Sequence, residues 1–331
     1  MRRRDFIAAL GALPLAAQAQ RPAKMKRIAY VHSAGNVSAM TVSGPSWNRA
    51  FFGELIRLGY VEGQNLSVDR YSGEGRTERY LDLARDIVNT RPDLIVVVGG
   101  LLSLRFKMAT STIPVVVLVI DPIGLGLVTS IARPGGNITG LSISGGLEII
   151  GKRMELLAEA IPKLSTVRYL ASLTFWEDAR GAAAREAAKK ARIALSPAML
   201  GTTFTETEYR RVFSEMERDR TDALMVSEEP EHAAAYLALI VELAAKIRIP
   251  TMYPLREFVE SGGLISYSTD LPYTYRRLAA LADTIFKGAN PADTPFDQPT
   301  KFELTVNLRT AKALGLEMPA TVLAQADDVI E

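Results

Sequence analysis

Residues 94–98 read Leu94-Ile95-Val96-Val97-Val98, and Gly99 and Gly100 follow them directly. An unbroken run of Leu, Ile and Val is typical of a strand buried on both faces of a parallel sheet, because a half-exposed strand alternates apolar and polar residues. The stretch Val115-Val116-Val117 repeats this pattern. We therefore predict an α/β protein built on parallel sheets with helices on both faces.

Short apolar runs alternate with amphipathic stretches from Lys26 onward. Strands are predicted over Arg27–His32, Leu66–Tyr71, Asp93–Gly99, Ile113–Asp121, Ile138–Ser144, Val167–Leu173, Ala194–Leu200, Ala223–Ser227, Ile249–Tyr253 and Gly263–Ser268. Helices are predicted over Pro45–Leu58, Glu78–Asn89, Leu147–Ala160, Asp178–Arg192, Glu206–Asp219 and Glu231–Lys246. This alternation indicates right-handed βαβ units. Two series of about five strands favour two doubly wound lobes over one very wide sheet.

The last part of the chain departs from the alternation. A long helix (Tyr273–Lys287), a proline-rich connection (Asn290–Pro299), a strand (Phe302–Val306) and a helix (Leu308–Gly315) are predicted there. We expect the chain to cross between the lobes more than once, which makes a hinge that lets the lobes close on a ligand. The expected division places residues 25–139 and 268–292 in lobe 1, and residues 140–267 and 300–331 in lobe 2.

The N-terminus has the features of an export signal. Arg2, Arg3 and Arg4 precede an apolar run over Ala8–Ala17, and Ala17-Gln18-Ala19 is a small-residue cleavage site. These features predict a secretory signal peptide over residues 1–19. The arginines before Asp5 and Phe6 favour the twin-arginine type. The alternatives are an ordinary Sec signal and a frayed cytosolic N-terminus. Because the chain has no cysteine to carry a lipid, we expect a free periplasmic protein.

The amino-acid composition excludes several kinds of functional site. The 331 residues include no cysteine and only two histidines, His32 and His232, and the formal net charge is +2. Disulfides, thiolate zinc sites and cysteine nucleophiles are therefore excluded, and no nucleic-acid surface is indicated. We expect His32 to be structural rather than ligand-binding, and His232 to be solvated near a helix start. No catalytic residue, metal site or cofactor is predicted, and the chain is expected to be a monomer.

Two glycine motifs resemble nucleotide sites but are incomplete. Gly146–Lys152 has the spacing of a phosphate-binding loop, but Arg153 stands where a Ser or Thr must bind magnesium. Gly124-Leu125-Gly126 begins like a dinucleotide fingerprint, but Thr129 replaces its third glycine. Neither an ATP site nor a nicotinamide site is predicted.

Polar, small and aromatic residues follow the predicted strands, where ligands bind in doubly wound sheets. The candidate ligand-binding residues are Ser33, Gly35, Trp47, Gly99, Gly100, Ser103, Asp121, Trp176, Glu229, Tyr253, Tyr267 and Asp270. A helix start at Gly99 and Gly100, with the Ser103 hydroxyl, suits a carboxylate. Glu228 or Glu229 suits an ammonium, and the aromatic rings suit a flat side chain. The alternatives are structural, because such glycines also turn the chain, such acids also cap helices and such tyrosines also fill cores.

Several long motifs resemble one protein family. They are Leu58–Asn65, Asp121–Val128, Ala132–Gly140, Phe258–Tyr267, Lys287–Asp293, Gln298–Leu304 and Ala326–Glu331. Together they resemble the ABC-transporter substrate-binding proteins of the tryptophan/tyrosine-uptake type, which have a type I periplasmic-binding fold. The resemblance covers essentially the whole mature chain. It implies extracytoplasmic capture of a small molecule, such as an aromatic amino acid, and its delivery to permease subunits driven by a separate ATPase.

The chain departs from the family pattern at three places. Gly99-Gly100-Leu101-Leu102-Ser103 stands where the family commonly reads Gly-Thr-Pro-Ala-Ala, Ser172-Leu173 replaces a frequent Asn-Pro, and Glu229 replaces a frequent Asp. These departures leave open a different aromatic or branched acid, including one without an amino group. The leading hypothesis is a solute-binding protein of an ABC importer. The alternatives are a periplasmic sensor of the same fold and an enzyme, for which no nucleophile–base pair is apparent.

Overall fold

The computed structural model describes residues 25–143, 146–201, 203–298 and 301–331. The predicted signal peptide lies outside these residues. The first sheet has five parallel strands in the order β2-β1-β3-β4-β5. The strands are β1 (Lys26–His32), β2 (Leu66–Ser72), β3 (Leu94–Val98), β4 (Val115–Val119) and β5 (Ile138–Ser142). Every residue of β3 and β4 is buried, which confirms the prediction from their apolar runs.

The second sheet has seven strands in the order β12-β11-β10-β9-β8-β6-β7, and β10 and β11 are its one antiparallel pair within the described ranges. Its strands are β6 (Thr166–Ser172), β7 (Ala194–Leu200), β8 (Ala223–Val226), β9 (Thr251–Tyr253), β10 (Ile265–Ser268), β11 (Glu303–Asn307) and β12 (Asp328–Ile330). The two parallel sheets form two lobes and confirm the predicted fold class.

Helices cover both sheets. They are α1 (Ser46–Arg57), α2 (Tyr80–Asn89), α3 (Gly100–Ala109), α4 (Glu148–Ala160), α5 (Leu173–Glu177), α6 (Ala179–Ala191), α7 (Glu206–Asp219), α8 (Pro230–Ala234), α9 (Leu237–Lys246), α10 (Arg256–Glu260), α11 (Leu271–Phe286), α12 (Leu308–Leu314) and α13 (Ala320–Gln325). Short 3-10 helices span Val37–Ala39, Thr77–Arg79 and Pro291–Asp293. In the described part of the chain, no helix combines the length and apolarity needed to cross a bilayer.

The chain crosses between the sheets three times. It passes from β5 to α4, from β10 to α11, and from Asp297, which bridges to Leu141 of β5, to β11. Helix α11 packs against the first sheet, where Tyr275 and Leu278 share a core with Tyr30. Because β5 pairs with β4 as far as Ser142, the first sheet continues beyond the boundary expected after residue 139.

The region predicted as one helix over Glu231–Lys246 forms two, α8 and α9. The helix is interrupted at Ala235 and Tyr236, whose φ angles are −123° and −124°. The Tyr236 ring packs 4.6 Å from the ring of Tyr209, and its hydroxyl donates to the carbonyl oxygen of Phe204. These contacts compensate for the lost helical turn. The interruption leaves α8 as a short helix that closely follows β8.

Candidate functional site

The carboxyl ends of the two sheets face each other across a cleft that contains two adjoining cavities. The larger has a volume of about 140 Å³ and lies between Gly99 and Gly100 of the first lobe and Glu229 of the second. The smaller has a volume of about 50 Å³. Ile143, Glu229 and Pro230 line both cavities. The cleft is therefore the place where a ligand would touch both lobes.

The wall of the larger cavity that the first lobe forms has groups that can bind an anion. Gly99 precedes α3 with φ +123°, and the first N–H groups of a helix have no intrahelical acceptor. The buried hydroxyl of Ser33 also has no hydrogen-bond partner among the described residues. A Cβ on Gly99 would lie 2.8 Å from the Cβ of Ser33, so glycine is required for this close approach. Free N–H groups beside a free hydroxyl form a favourable environment for a carboxylate.

The wall from the second lobe carries the carboxylate of Glu229. It accepts hydrogen bonds from the backbone N–H of Ser172 at 2.9 Å, from the Ser172 hydroxyl, and from the Ser227 hydroxyl at 2.8 Å. Burial alone would raise the pKa of Glu229. The imidazole of His232 and the hydrogen bonds from Ser172 outweigh burial and hold the pKa below its ordinary value. The Glu229 side chain is therefore an anion at neutral pH.

His232 positions the Glu229 carboxylate indirectly, through the Ser227 hydroxyl. Its Nδ1 lies 2.7 Å from the Tyr209 hydroxyl, and its Nε2 lies 2.9 Å from the Ser227 hydroxyl. Because Ser227 donates its proton to Glu229, Ser227 accepts from Nε2–H and Nδ1 accepts from Tyr209. The expectation of a solvated His232 is wrong. The side chain is fully buried, since α8 packs it against Tyr209 and Phe204.

The two lobes also touch directly. The Tyr80 hydroxyl lies 3.1 Å from the carbonyl oxygen of Ser33 in its own lobe and 3.3 Å from Oε1 of Glu231 in the other. Burial, with the charge of Glu229 adding to it, raises the pKa of Glu231. The Ser46 hydroxyl and Oε1 of Glu257 form a second cross-lobe contact at 3.4 Å. The lobes are therefore held around the cleft by polar contacts.

The smaller cavity has an ion pair in its wall. Arg153 of α4 pairs with Glu228, donates from Nε to the carbonyl oxygen of Tyr267 at 2.7 Å, and donates from Nη2 to that of Pro254 at 3.1 Å. His32 lines the same cavity, and burial lowers its pKa to about 4. The neutral imidazole accepts N–H groups from its own loop at Nδ1, which agrees with a structural role.

Five of the twelve candidate residues reach the cleft. Ser33, Gly99, Gly100 and Glu229 line the larger cavity, and Trp47 lines the smaller one together with Glu229. All five follow a strand of their sheet directly or stand at the start of the next helix. The direction of a parallel strand sets which edge its following loop occupies, so these positions were accessible to sequence reasoning.

The other seven candidates lie outside both cavities and have local roles. Asp121 stabilises a turn by accepting from the N–H groups of Ile123 and Gly124. The Ser103 hydroxyl donates to the carbonyl oxygen of Gly99 within the first turn of α3. Asp270 caps the N-terminus of α11. Gly35 is close-packed against the His32 ring. The three aromatic residues pack on their own lobe: Trp176 against Tyr169 and Arg185, Tyr253 on Phe258, and Tyr267 on Phe302.

Several cleft residues were not predicted. Tyr80, Phe204 and Glu231 line the larger cavity, and Arg153 and Tyr275 line the smaller. Glu231 lies two residues after Glu229, which was a usable signal. Arg153 and Tyr275 lie inside amphipathic helices, where no local pattern distinguishes them. In the described residues, no three His, Cys, Asp or Glu side chains are arranged to hold a metal ion.

Comparison with known proteins identifies the family. Residues 36–330 match the model of the family described as "ABC transporter substrate binding protein". The chain belongs to this family. Its members are solute-binding proteins rather than enzymes, and the resemblance predicted from the sequence motifs is confirmed.

Relatives of this substrate-binding protein agree with the assignment. A tyrosine-binding protein of Clostridioides difficile is 24% identical over 287 residues, which cover 83% of this chain and 79% of the relative. A conserved domain protein of Vibrio cholerae has a TM-score of 0.80 at 23% identity, covering 92% of this chain and 100% of that one. A Streptococcus pneumonia ABC domain in complex with L-Trp has a TM-score of 0.79 at 23% identity, covering 93% and 100%. The two solved structures share the fold of the chain.

Proposed function

We propose that this protein is the periplasmic solute-binding component of an ABC importer, and that it captures an α-amino acid with an aromatic or branched side chain. The observation that carries the proposal is the pairing of two facing walls. The start of α3 and the free Ser33 hydroxyl face the anionic Glu229 across one cavity. A carboxylate and an ammonium on one carbon would match both walls at once.

The charge of the cleft supports a ligand that keeps its amino group. Glu229 and Glu231 both line the larger cavity, and the one cationic side chain among its described lining residues, Arg180, is paired with Asp178. Because Glu229 is an anion with no free cation opposite it among these residues, the cavity favours a ligand that brings a positive charge. We therefore prefer an amino acid over an acid that lacks the amino group.

The apolar part of the larger cavity supports an uncharged side chain. Phe175, Phe204 and Leu125 line it. An engineered protein cavity of about 150 Å³ holds a benzene molecule, so the two adjoining cavities together have room for a molecule of amino-acid size. The tyrosine-binding relative and the relative in complex with L-Trp are consistent with this class.

Domain closure is the proposed mechanism of capture. A ligand that touches Gly99 and Glu229 together gains both contacts only when the lobes approach, and this difference in affinity shifts the population to the closed form. The three crossings between the sheets would act as the hinge. The closed protein would then deliver its ligand to permease subunits with a separate ATPase. Export by the signal at residues 1–19 and a monomeric state complete the proposal. No observation favours the sensor alternative.

A ligand screen tests the proposed function. The mature chain is heated with each L-amino acid and with matched acids that lack the amino group, and native mass spectrometry is used to look for a co-purified molecule. Ligand at 100 times its Kd stabilises a protein by about 2.7 kcal/mol, which raises Tm by several degrees. We expect such a rise with aromatic or branched amino acids. No rise across the panel, with no co-purified ligand, would contradict the proposal.

A further inference from the structure

The loop over residues 73–76, which follows β2, is fixed to the first lobe in one conformation. The N–H of Gly75 donates to the carbonyl oxygen of Ser33 at 2.9 Å. Glu74 and Gly75 both have left-handed backbone conformations, with φ of +54° and +69°. A non-glycine residue such as Glu74 adopts this conformation only where the surrounding structure imposes it. The 73–76 loop is therefore a rigid part of the first lobe.

This loop and Tyr80 cover a carboxyl group of the second lobe. A Cβ on Gly75 would lie 3.8 Å from Cγ of Glu231 and 3.8 Å from Cβ of Phe204, so the loop packs against both residues. The Tyr80 hydroxyl lies 3.3 Å from Oε1 of Glu231. With this cover, Glu231 is only 6% exposed. Since Gly75 and Tyr80 belong to the other lobe, separation of the lobes would return the Glu231 carboxyl to water.

The hydrogen bonds around Tyr80 require one more proton than an ionised Glu231 leaves available. The carbonyl oxygen of Ser33 and Oε1 of Glu231 are both within reach of the Tyr80 hydroxyl, and a phenol has a single proton. If the Glu231 carboxyl carried a proton, it would donate that proton to the Tyr80 oxygen, and Tyr80 would donate its own to Ser33. Both hydrogen bonds would then form at once, whereas a buried acceptor left without a donor is costly.

The charges around Glu231 also favour its neutral form. Burial, and after it the negative charge of Glu229, raises the pKa of Glu231, although the imidazole of His232 lowers it. The cations on the elements packed nearby are engaged elsewhere. In the described structure, Arg180 on the cavity wall pairs with Asp178, Arg76 in the 73–76 loop pairs with Glu74, and Arg79 on the adjoining 3-10 helix, where Glu78 is exposed, also pairs with Glu74.

We propose that the contact between Glu231 and Tyr80 is a proton-dependent latch: Glu231 binds a proton from water when the lobes close and releases it when they open. The inference rests on the closure described under the proposed function, but not on the identity of the ligand. A carboxyl whose pKa is raised in the closed form stabilises that form fully below its ordinary pKa of about 4.3. This stabilisation is lost as the pH rises through the raised pKa. Closure, and with it ligand affinity, is therefore favoured at lower pH.

A second carboxyl between the lobes provides the matched control. The Ser46 hydroxyl donates to Oε1 of Glu257 at 3.4 Å, and burial raises the pKa of Glu257 as well. Within the described ranges, the Ser46 hydroxyl donates to no other acceptor. An ionised Glu257 therefore completes this contact without an added proton. The two carboxyls share their position between the lobes and differ in the proton that their contacts require.

The first test measures the protons taken up when the mature chain binds the tightest ligand of the screen. Titration calorimetry in buffers of different ionisation enthalpy gives this number at each pH. We expect an uptake of up to about one proton between the ordinary and the raised pKa of Glu231, and a Kd that rises by up to about tenfold per pH unit in this range.

The variant Glu231→Gln isolates the contribution of the latch. Glutamine keeps the size of the side chain and carries permanent N–H donors for the Tyr80 oxygen, so it resembles the protonated carboxyl. We expect it to abolish the proton uptake and to bind ligand at about pH 8 at least as tightly as the unmodified chain. A substitution that only disturbed the cleft would weaken binding instead. Glu257→Gln should retain most of the uptake.

The second test needs no ligand. Because the chain has no cysteine, one cysteine in each lobe gives a single pair of spin labels. Asp82→Cys on α2 and Lys190→Cys on α6 use exposed sites, with side-chain exposures of 79% and 76%. We expect the share of the closed distance to be larger at about pH 5 than at about pH 8. With Glu231→Gln added, the share should stay high at both pH values.

The outcomes separate this inference from the proposed function. Ligand binding without proton uptake would overturn the latch and leave the proposed function standing. Uptake that persists in Glu231→Gln, or that disappears in Glu257→Gln instead, would assign the proton to another group and also overturn the latch. If no ligand binds, the proposed function is overturned and the label distances still decide on the latch. Distances that do not change with pH would contradict it.

Discussion

The hydroxyl of Tyr80 lies between the carbonyl oxygen of Ser33, 3.1 Å away in the same lobe, and Oε1 of Glu231, 3.3 Å away in the other lobe. The single proton of the Tyr80 hydroxyl is therefore shared by two acceptors. The Ser33 carbonyl oxygen is available in any arrangement of the lobes, whereas Oε1 of Glu231 is within reach only when the lobes approach each other. A contact made only on closure contributes directly to the population of the closed form.

Replacement of this hydroxyl should weaken ligand binding. Tyr80→Phe keeps the ring in the cavity wall and removes one hydrogen bond between the lobes, which is worth about 1 kcal/mol or about fivefold in Kd. The measurement is titration calorimetry with the tightest ligand of the screen. Tyr60→Phe is the matched control, because the Tyr60 hydroxyl bonds to Asp283 on α11 of the same lobe. Equal effects of the two substitutions would show that Tyr80 does not act through closure.

Glu229 should discriminate ligands by their amino group. Glu229→Gln removes the anion but keeps the size of the side chain, and we expect an amino acid to bind about 10- to 100-fold more weakly. The matched acid without an amino group is the control on the ligand side. It should bind the unmodified protein weakly and lose little more on substitution. An equal loss for both ligands would mean that the substitution only disturbs the packing around Ser172 and Ser227.

Burial of His32 should make stability depend on pH. The folded state holds the pKa of His32 at about 4, below the ordinary value of about 6.5. Between these values the unfolded chain binds a proton that the folded chain does not, so the free energy of unfolding falls as pH drops from about 6.5 to 4. The contribution of His32 to this fall is about 3 kcal/mol.

Urea unfolding at several pH values isolates this contribution. His32→Asn has no titrating group but retains an acceptor for the N–H groups of Ala34 and Gly35. The difference in unfolding free energy between the unmodified protein and the variant should shrink steadily from pH 7 to pH 4. A difference that stays constant with pH would show that His32 titrates normally.

Gly99 should be intolerant of any side chain. Alanine there would adopt φ +123° and place its Cβ 2.8 Å from Ser33. We expect Gly99→Ala to lower the free energy of unfolding by about 2 kcal/mol and to weaken binding by displacing the Ser33 hydroxyl. Gly151→Ala is the control, since Gly151 lies inside α4 and a Cβ there would meet nothing within 4 Å. That change should stabilise the protein by up to about 1 kcal/mol. If Gly99→Ala changed neither the free energy of unfolding nor ligand binding, the close contact between Gly99 and Ser33 would be contradicted.

Sequence reasoning succeeded where the structure follows from local patterns. The apolar runs of β3 and β4 predict strands buried on both faces. Since parallel strands send their following loops to one edge, Ser33, Gly99 and Glu229 could be assigned to the cleft before its geometry was known.

The rest of the cleft depends on tertiary structure that local patterns do not encode. Arg153 reaches the smaller cavity from the middle of α4. Tyr275 reaches it from α11, which follows β10 of the second sheet but packs against the first. Tyr80 meets Glu231 only because the lobes approach. Tyr253 and Tyr267 also lie at strand ends, but stacking on Phe258 and Phe302 directs their rings away from the cleft.

The most direct test of the central claim is a crystal structure of the mature chain grown with the amino acid that raises Tm most. We predict the ligand between the lobes, with its carboxylate at the start of α3 beside Ser33 and its ammonium within hydrogen-bond distance of Glu229. A ligand bound elsewhere on the protein, or a cleft that stays empty at saturating ligand, would contradict the account.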